Sequence, residues 1–274
     1  LTDWLNDGIR LVSVSDEGGE EALEIRATDE SSAPIRVDTV DIGRPTGIEV
    51  SPTDDRVLLA NHRHELYVID LDTGEGRLLD SSPYGGIRGM AWSPDGKWAA
   101  YGFAGSERTS CIKIAEVDTG ELHDVTHREF TDVGPAWDPS GKYLYFVSLR
   151  AFNPVYDALH FDLGFPQASR PFLVTLSEDE PHPFIAQPRP LHENGDDKDD
   201  KDDKDSASGD EDGDTGAKED DDTSSDDKVP PDPVEIDFEG IQQRVLAFPY
   251  PEGNYAYIAG LEGKALFTSY PVSG

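Results

Sequence analysis

Residues 91–101, AWSPDGKWAAY, are written again at 136–146 as AWDPSGKYLYF. Both stretches carry an Ala-Trp pair, a proline-containing turn, a Gly-Lys and an apolar run. A third copy, IEVSPTDDRVLLANHRHELYVIDLDTGEGRLL at 48–79, aligns with them without gaps in its core. The marker prolines Pro52, Pro94 and Pro139 are spaced 42 and 45 residues apart, and the DTG turns at Asp72 and Asp118 lie 46 apart. A self-similar period of about 40–50 residues with strand-like content signals sheets repeated around an axis. No single copy can bury its own apolar face, so the copies must stack on one another.

Local chemistry agrees. In SPDG the proline fixes φ, the aspartate bonds its own backbone and the glycine takes a positive φ. Apolar residues then alternate or cluster, as at Trp98, Ala100 and Tyr101 or at Tyr143, Tyr145 and Val147. ELYVIDLDTGEGRLL reads as strand, turn and strand. Each unit therefore holds about four short strands. Looser copies occupy 8–40 and 241–272, the latter with PEG and EGK as its turns. The expected fold is all-β: a β-propeller of four-stranded antiparallel blades, about five of them. Five blades that begin and end in mid-pattern read as part of a larger ring, since an open ring leaves strand edges unpaired. The N-terminal LTDWLNDG has neither a basic nor an apolar region, so it reads as the interior of a longer chain and not as a signal peptide.

Trp92 and Trp137 are expected to wedge between neighbouring blades. The innermost strands should be the segments before the proline turns, 46–50, 87–92 and 133–137. Near the starts of those strands, Arg88 and Asp132 are the candidates for the wall of a central channel. The competing role for both is to bond neighbouring blades across the ring.

The formal net charge is −34 over 274 residues. Between Glu193 and Lys228 there are 18 acidic and 5 basic residues, a net −13, leaving −21 for the rest. A surface of this sign repels phosphate backbones and anionic lipids, so nucleic acid and membrane are excluded as partners. The expected organisation is blades over 1–191, a disordered acidic insertion over 192–232 and a further blade over 233–274. The insertion has too little apolar surface to offset its ordering entropy. Its DEDGDTG stretch lacks the flanking helices and twelfth-position Glu of a calcium loop. It should separate RPFLVTL from VEIDFEGIQQRV, read as consecutive outer strands of one blade.

Catalytic patterns are missing from the sequence: there is no GxSxG, HExxH, P-loop or strand-borne GxGxxG. His62 and His64 would share a strand face, as metal ligands can, but NHRHEL suits a hairpin rim better. Cys111, the one cysteine, excludes an internal disulfide and reads as a small core residue. No catalytic residue, metal or cofactor is assigned.

The run FDLGFPQASRPFLVTL, the downstream IDFEGIQQRVLAFPYPEGNY and the repeat SPDGKWAAYGF resemble the seven-bladed propeller of the tricorn protease family. The resemblance covers nearly the whole chain outside the acidic stretch. It implies a large cytoplasmic serine peptidase with a six-bladed propeller, this seven-bladed one, a PDZ-like domain and two catalytic domains. It further implies a homo-hexamer that trims oligopeptides released by the proteasome, with this ring as a channel or filter. The family's catalytic Ser, His and Glu, and its substrate-clamping arginines, belong to other domains and match no position here. Two other classes share SPDG repeats: free-standing periplasmic interaction propellers, and gating propellers of prolyl oligopeptidase-type enzymes.

Overall fold

A computed structural model of the chain describes residues 1–29, 32–157, 159, 162–165, 167–185 and 231–271. Its strands form successive antiparallel four-stranded units, the third and fourth of which are joined into one sheet by a parallel bridge between Ser110 and Thr131. The first comprises β1 (Thr2–Trp4), β2 (Arg10–Ser15), β3 (Ala22–Ala27) and β4 (Ile35–Val37) in that order. The second comprises β5 (Pro45–Val50), β6 (Arg56–Asn61), β7 (Glu65–Asp70) and β8 (Gly76–Ser81). The third comprises β9 (Met90–Trp92), β10 (Trp98–Ala104), β11 (Ser110–Glu116) and β12 (Leu122–Asp124). In the fourth, β13 (Thr131–Trp137) pairs with β14 (Tyr143–Leu149). A side hairpin follows, β15 (Val155–Asp157) with β16 (Asp162–Gly164). The fourth unit is then completed by β17 (Ser169–Thr175) and β18 (Val245–Ala247). A final hairpin joins β19 (Asn254–Leu261) to β20 (Lys264–Tyr270). These are the blades expected from the repeats: four complete ones and half of a fifth.

The proline turns do what their composition dictates. Between β9 and β10, Ser93 Oγ donates to Asp95 Oδ1 (2.6 Å) and accepts the Trp98 amide (2.9 Å), while Gly96 closes the turn at φ 69°. Gly141, at φ 71°, closes the equivalent turn between β13 and β14 by donating its amide to Asp138 O (2.8 Å). A side chain would be strained at either glycine.

The first strands β1, β5, β9, β13 and β19 lie side by side in chain order, so they form the inner edge. Apolar side chains fill the space between each blade and the next. Val12, Leu23 and Ile25 meet Val57, Leu59 and Ile69 between blades 1 and 2. Leu58, Leu66 and Val68 meet Trp92, Tyr101 and Cys111 between blades 2 and 3. Ile112 and Ile114 meet Trp137, Phe146 and Phe172 between blades 3 and 4. Tyr145 and Leu173 meet Ile258 and Phe267 at the last junction. The core is thus a series of inter-blade layers.

The two tryptophans are the wedges expected of them. Trp92 is 6% exposed and its indole donates to Glu49 O at 2.9 Å, on the inner strand of blade 2. Trp137 is 7% exposed and donates to Ala91 O at 3.1 Å, on the inner strand of blade 3. Each bond runs back by one blade.

Three expectations need adjustment. The inner strand of the first blade is 2–4, upstream of the looser copy read at 8–40. The stretch 241–247 belongs to blade 4, through a 3-10 turn at Ile241–Arg244 and then β18, and leaves only β19 and β20 for the fifth blade. The stretch VEIDFEGIQQRV is not itself the outer strand: pairing with β17 begins only at Val245. Its alternation has another use. Val234, Ile236, Phe238 and Ile241 join the core between blades 3 and 4. Phe238 stacks on His123 with ring centroids 3.6 Å apart, and Val234 N donates to Asp95 Oδ2 (2.9 Å). The stretch is a strap lying across both blades. The acidic insertion read at 192–232 lies outside the described residues apart from Pro231 and Asp232.

Candidate functional site

The inner edge is where the sequence places its candidate residues, and the structure separates the two. Arg88 precedes β9 and its side chain is exposed. Its backbone is fixed on both sides: the amide donates to Gly102 O (2.9 Å), and the carbonyl accepts from Gly134 N (2.9 Å) on blade 4. Asp132 is fully buried. Its carboxylate accepts two hydrogen bonds from Arg150 Nη2 (2.9 and 3.1 Å) and one from Ser148 Oγ, and its carbonyl accepts Ser110 Oγ (2.8 Å) from blade 3. The Arg150 guanidinium lies over the rings of Phe172 (4.3 Å) and Phe130 (4.6 Å). Asp132 therefore holds an arginine in place. The cause is register: Asp132 stands opposite Ser148 across the β13–β14 ladder and points between blades.

Blades 3 and 4 are closed tightly at this edge. A Cβ built on Gly89 would stand 2.8 Å from Gly134 Cα, and Gly89 and Gly134 have φ of 82° and 59°. Both positions demand glycine, one by contact and both by conformation. Sequence reading missed this pair, although Gly47, Gly89 and Gly134 fall in one column of the ungapped repeats, three residues before Val50, Trp92 and Trp137.

Blades 2 and 3 are not closed in the same way. A cleft of about 240 Å³ lies between β5 and β9, lined by Thr46, Gly47, Glu49, Ala60, Ile87, Gly89 and Met90. Glu49 is half-buried. Burial, reinforced by the neighbouring Asp3 carboxylate, pushes its carboxyl up to about 7, against the pull of the Trp92 backbone amide. Blades 3 and 4 carry Ala91 and Ala136 in this column, so a charged residue among alanines is the signal that would have found it.

A second polar group missed by sequence reading ties blades 2 and 3 farther out. Asp80 on β8 accepts Lys113 Nζ and the Tyr101 hydroxyl (2.7 Å) from blade 3. Lys113 Nζ also sits 4.3 Å from the centre of the Phe103 ring. Cys111 is buried in the same layer, and burial raises its thiol to about 11, which suits packing and not nucleophilic chemistry. His62 and His64 sit in the turn between β6 and β7, and His62 Nδ1 accepts the Arg44 amide (3.0 Å).

Residues 1–274 match the family model described as the tricorn protease second beta propeller domain. A tricorn protease homolog from Saccharolobus solfataricus is 32% identical over 272 residues, which cover 98% of this chain and 20% of that protein. Tricorn protease homolog 1 from Streptomyces coelicolor is 31% identical over 270 residues, covering 96% of this chain and 23% of that protein. The crystal structure of the tricorn protease superposes over 97% of this chain and 23% of its own, with a TM-score of 0.73 at 20% identity, which speaks to the fold. The chain spans about a fifth to a quarter of the length of these relatives. Repeats, blade topology and family match agree: the chain belongs to the tricorn protease family, as its second β-propeller.

Proposed function

We propose that this chain is a non-catalytic propeller of a serine-type peptidase that degrades oligopeptides, and that its inner edge forms part of the path by which peptides reach the active site. The observation that carries this reading is the side-by-side order of β1, β5, β9, β13 and β19, with Arg88 exposed beside them. Membership in a family whose relatives are named proteases supports the peptidase assignment for the parent protein. In this reading Arg88 touches passing peptide, while Asp132 acts one layer beneath the wall by holding Arg150. Nucleophile, base and oxyanion site come from other domains of the parent chain. The parent protein is cytoplasmic and homo-hexameric, and its partners are oligopeptides and its own remaining domains. No helix among the described residues is long and apolar enough to cross a membrane.

The test is to obstruct the path. Arg88→Cys in the full-length protein, labelled with a bulky maleimide, should slow hydrolysis of peptides about ten residues long at least tenfold while sparing a dipeptide amide substrate. Equal rates for both substrates before and after labelling would remove the inner edge from the route.

A further inference from the structure

We propose that the cleft between β5 and β9 is a side pocket of the peptide path that takes a primary ammonium group, with Glu49 as its counter-charge. This rests on the reading of the inner edge given above. The pocket is built by the exceptions to the repeat. Where Gly89 and Gly134 press together and Gly134 N binds Arg88 O, blades 3 and 4 leave no gap. Between blades 2 and 3 the Met90 side chain, not a second glycine, faces Gly47, and the space beside it is about 240 Å³. A water occupies roughly 30 Å³, so the cleft has room for an ammonium and several methylenes. Its walls suit methylenes: Ala60, Ile87 and Met90 line it, with glycine backbone at Gly47 and Gly89. Its one ionisable lining group is Glu49.

The charges around Glu49 leave it in need of a cation. From β1, Asp3 adds negative charge, its own carboxylate occupied by the amides of Val50 (2.9 Å) and Trp4 (2.8 Å). From β9, the Trp92 backbone amide faces the Glu49 carboxyl. On blade 2, the Arg56 guanidinium lies over the Trp92 ring at 5.5 Å and is paired with Asp54 and Asp118 (2.8 and 2.9 Å). Arg88 is exposed ahead of β9. Among the described residues Glu49 has no salt-bridge partner. A half-buried carboxyl of this kind gains most from a partner that brings both charge and hydrogen-bond donors, and an ammonium brings one charge and three donors. Binding draws the carboxyl into its ionised form, so at pH 6 it releases a proton that it no longer releases at pH 8.

A peptide offers a primary ammonium from two sources, its N-terminus and its lysine side chains. The experiment uses the full-length protein with its nucleophile blocked and fluorescein-labelled decapeptides read by anisotropy. One pair differs by a free or acetylated N-terminus, the other by lysine or norleucine at one internal position. The free-amine member of at least one pair should bind roughly tenfold more tightly, as expected for a charge-assisted hydrogen bond. The preference within the lysine pair should grow from pH 6 to pH 8. It should vanish in Glu49→Gln and in Glu49→Ala, the latter copying the residue that blades 3 and 4 already carry. Which pair responds identifies the source. If all peptides bind alike, or the preference survives both substitutions, the pocket is refuted while the peptide path stands. If no peptide binds the parent protein, the peptide path itself fails and takes the pocket with it.

Discussion

Trp92 and Trp137 carry the repeat at the scale of single residues, each filling an inter-blade layer and bonding a carbonyl of the preceding blade. Replacing a large buried aromatic with alanine costs about 3–5 kcal/mol. Trp92→Ala and Trp137→Ala should each destabilise by that order and by similar amounts, read from paired thermal melts. A variant that melts with the parent would not be a wedge. Glu49 makes the opposite kind of prediction. Its carboxyl ordinarily titrates near 4.5, but in the folded chain burial holds it at about 7. Between those values the folded state binds more protons than the unfolded one, so the stability tied to this group is full at low pH and is lost as pH rises through 7. Glu49→Gln keeps a neutral side chain at every pH. It should match the parent near pH 4 and exceed it at pH 8, by on the order of 1–3 kcal/mol. Parallel curves across that range would show that burial does not govern the group.

Among the elements, the strap is the one whose role differs from its pattern. Phe238 stacks on His123 and meets Trp98 edge-on at 5.5 Å, so one side chain links the strap to the outer part of blade 3. Phe238→Ala should cost roughly 3 kcal/mol in a urea titration. It should also raise the amide exchange of β18, which depends on the strap for its position; unchanged exchange there would sever the two. The sequence could be read for the inner strands and turns because those rest on local rules: a proline, a short polar residue directly after it (Asp95 or Ser140), then a glycine at positive φ. It could not be read for the strap. Alternation at 234, 236 and 238 obeys the period of a strand whether or not the backbone has a partner. Only tertiary contact with Trp98 and Leu176 decides that this stretch packs as a strap and that the ladder with β17 starts at Val245. Asp132 was open between channel wall and inter-blade bond for the same reason, since proximity to an inner edge in sequence does not state which way a side chain points; its burial and the Ser110 bond from blade 3 favour the second role. Glu49 was visible only as an oddity in a column of alanines.

For the molecule as a whole, the last hairpin is half covered. Ile258, Ala265 and Phe267 pack toward blade 4, while Tyr257, Leu261, Leu266 and Tyr270 are exposed on the onward side. Contiguous apolar surface of this kind promotes association. The net charge of −34 opposes it at low ionic strength. A chain of this extent should therefore be most nearly monomeric in dilute buffer and self-associate as salt screens the repulsion, in sedimentation runs from about 0.02 to 0.5 M salt. Leu266→Lys should suppress the effect. Association that weakens with salt would point to ion pairs instead of the apolar face.

Each indole bond of the wedges points toward chain already made, so a nascent blade finds its acceptor waiting as it leaves the ribosome. Blade 4 breaks that order. Its third strand ends at Thr175 and its fourth begins at Val245, with 69 residues between them. At about 5–20 residues per second, synthesis of that interval takes roughly 3–14 s. Throughout it β17 presents an unpaired edge, the feature most prone to cross-chain pairing. Ribosome-bound chains arrested near residue 235 should accordingly recruit holding chaperones more strongly than chains arrested far enough along for β18 to have emerged. Equal recruitment would mean that the open edge is shielded before its partner is translated.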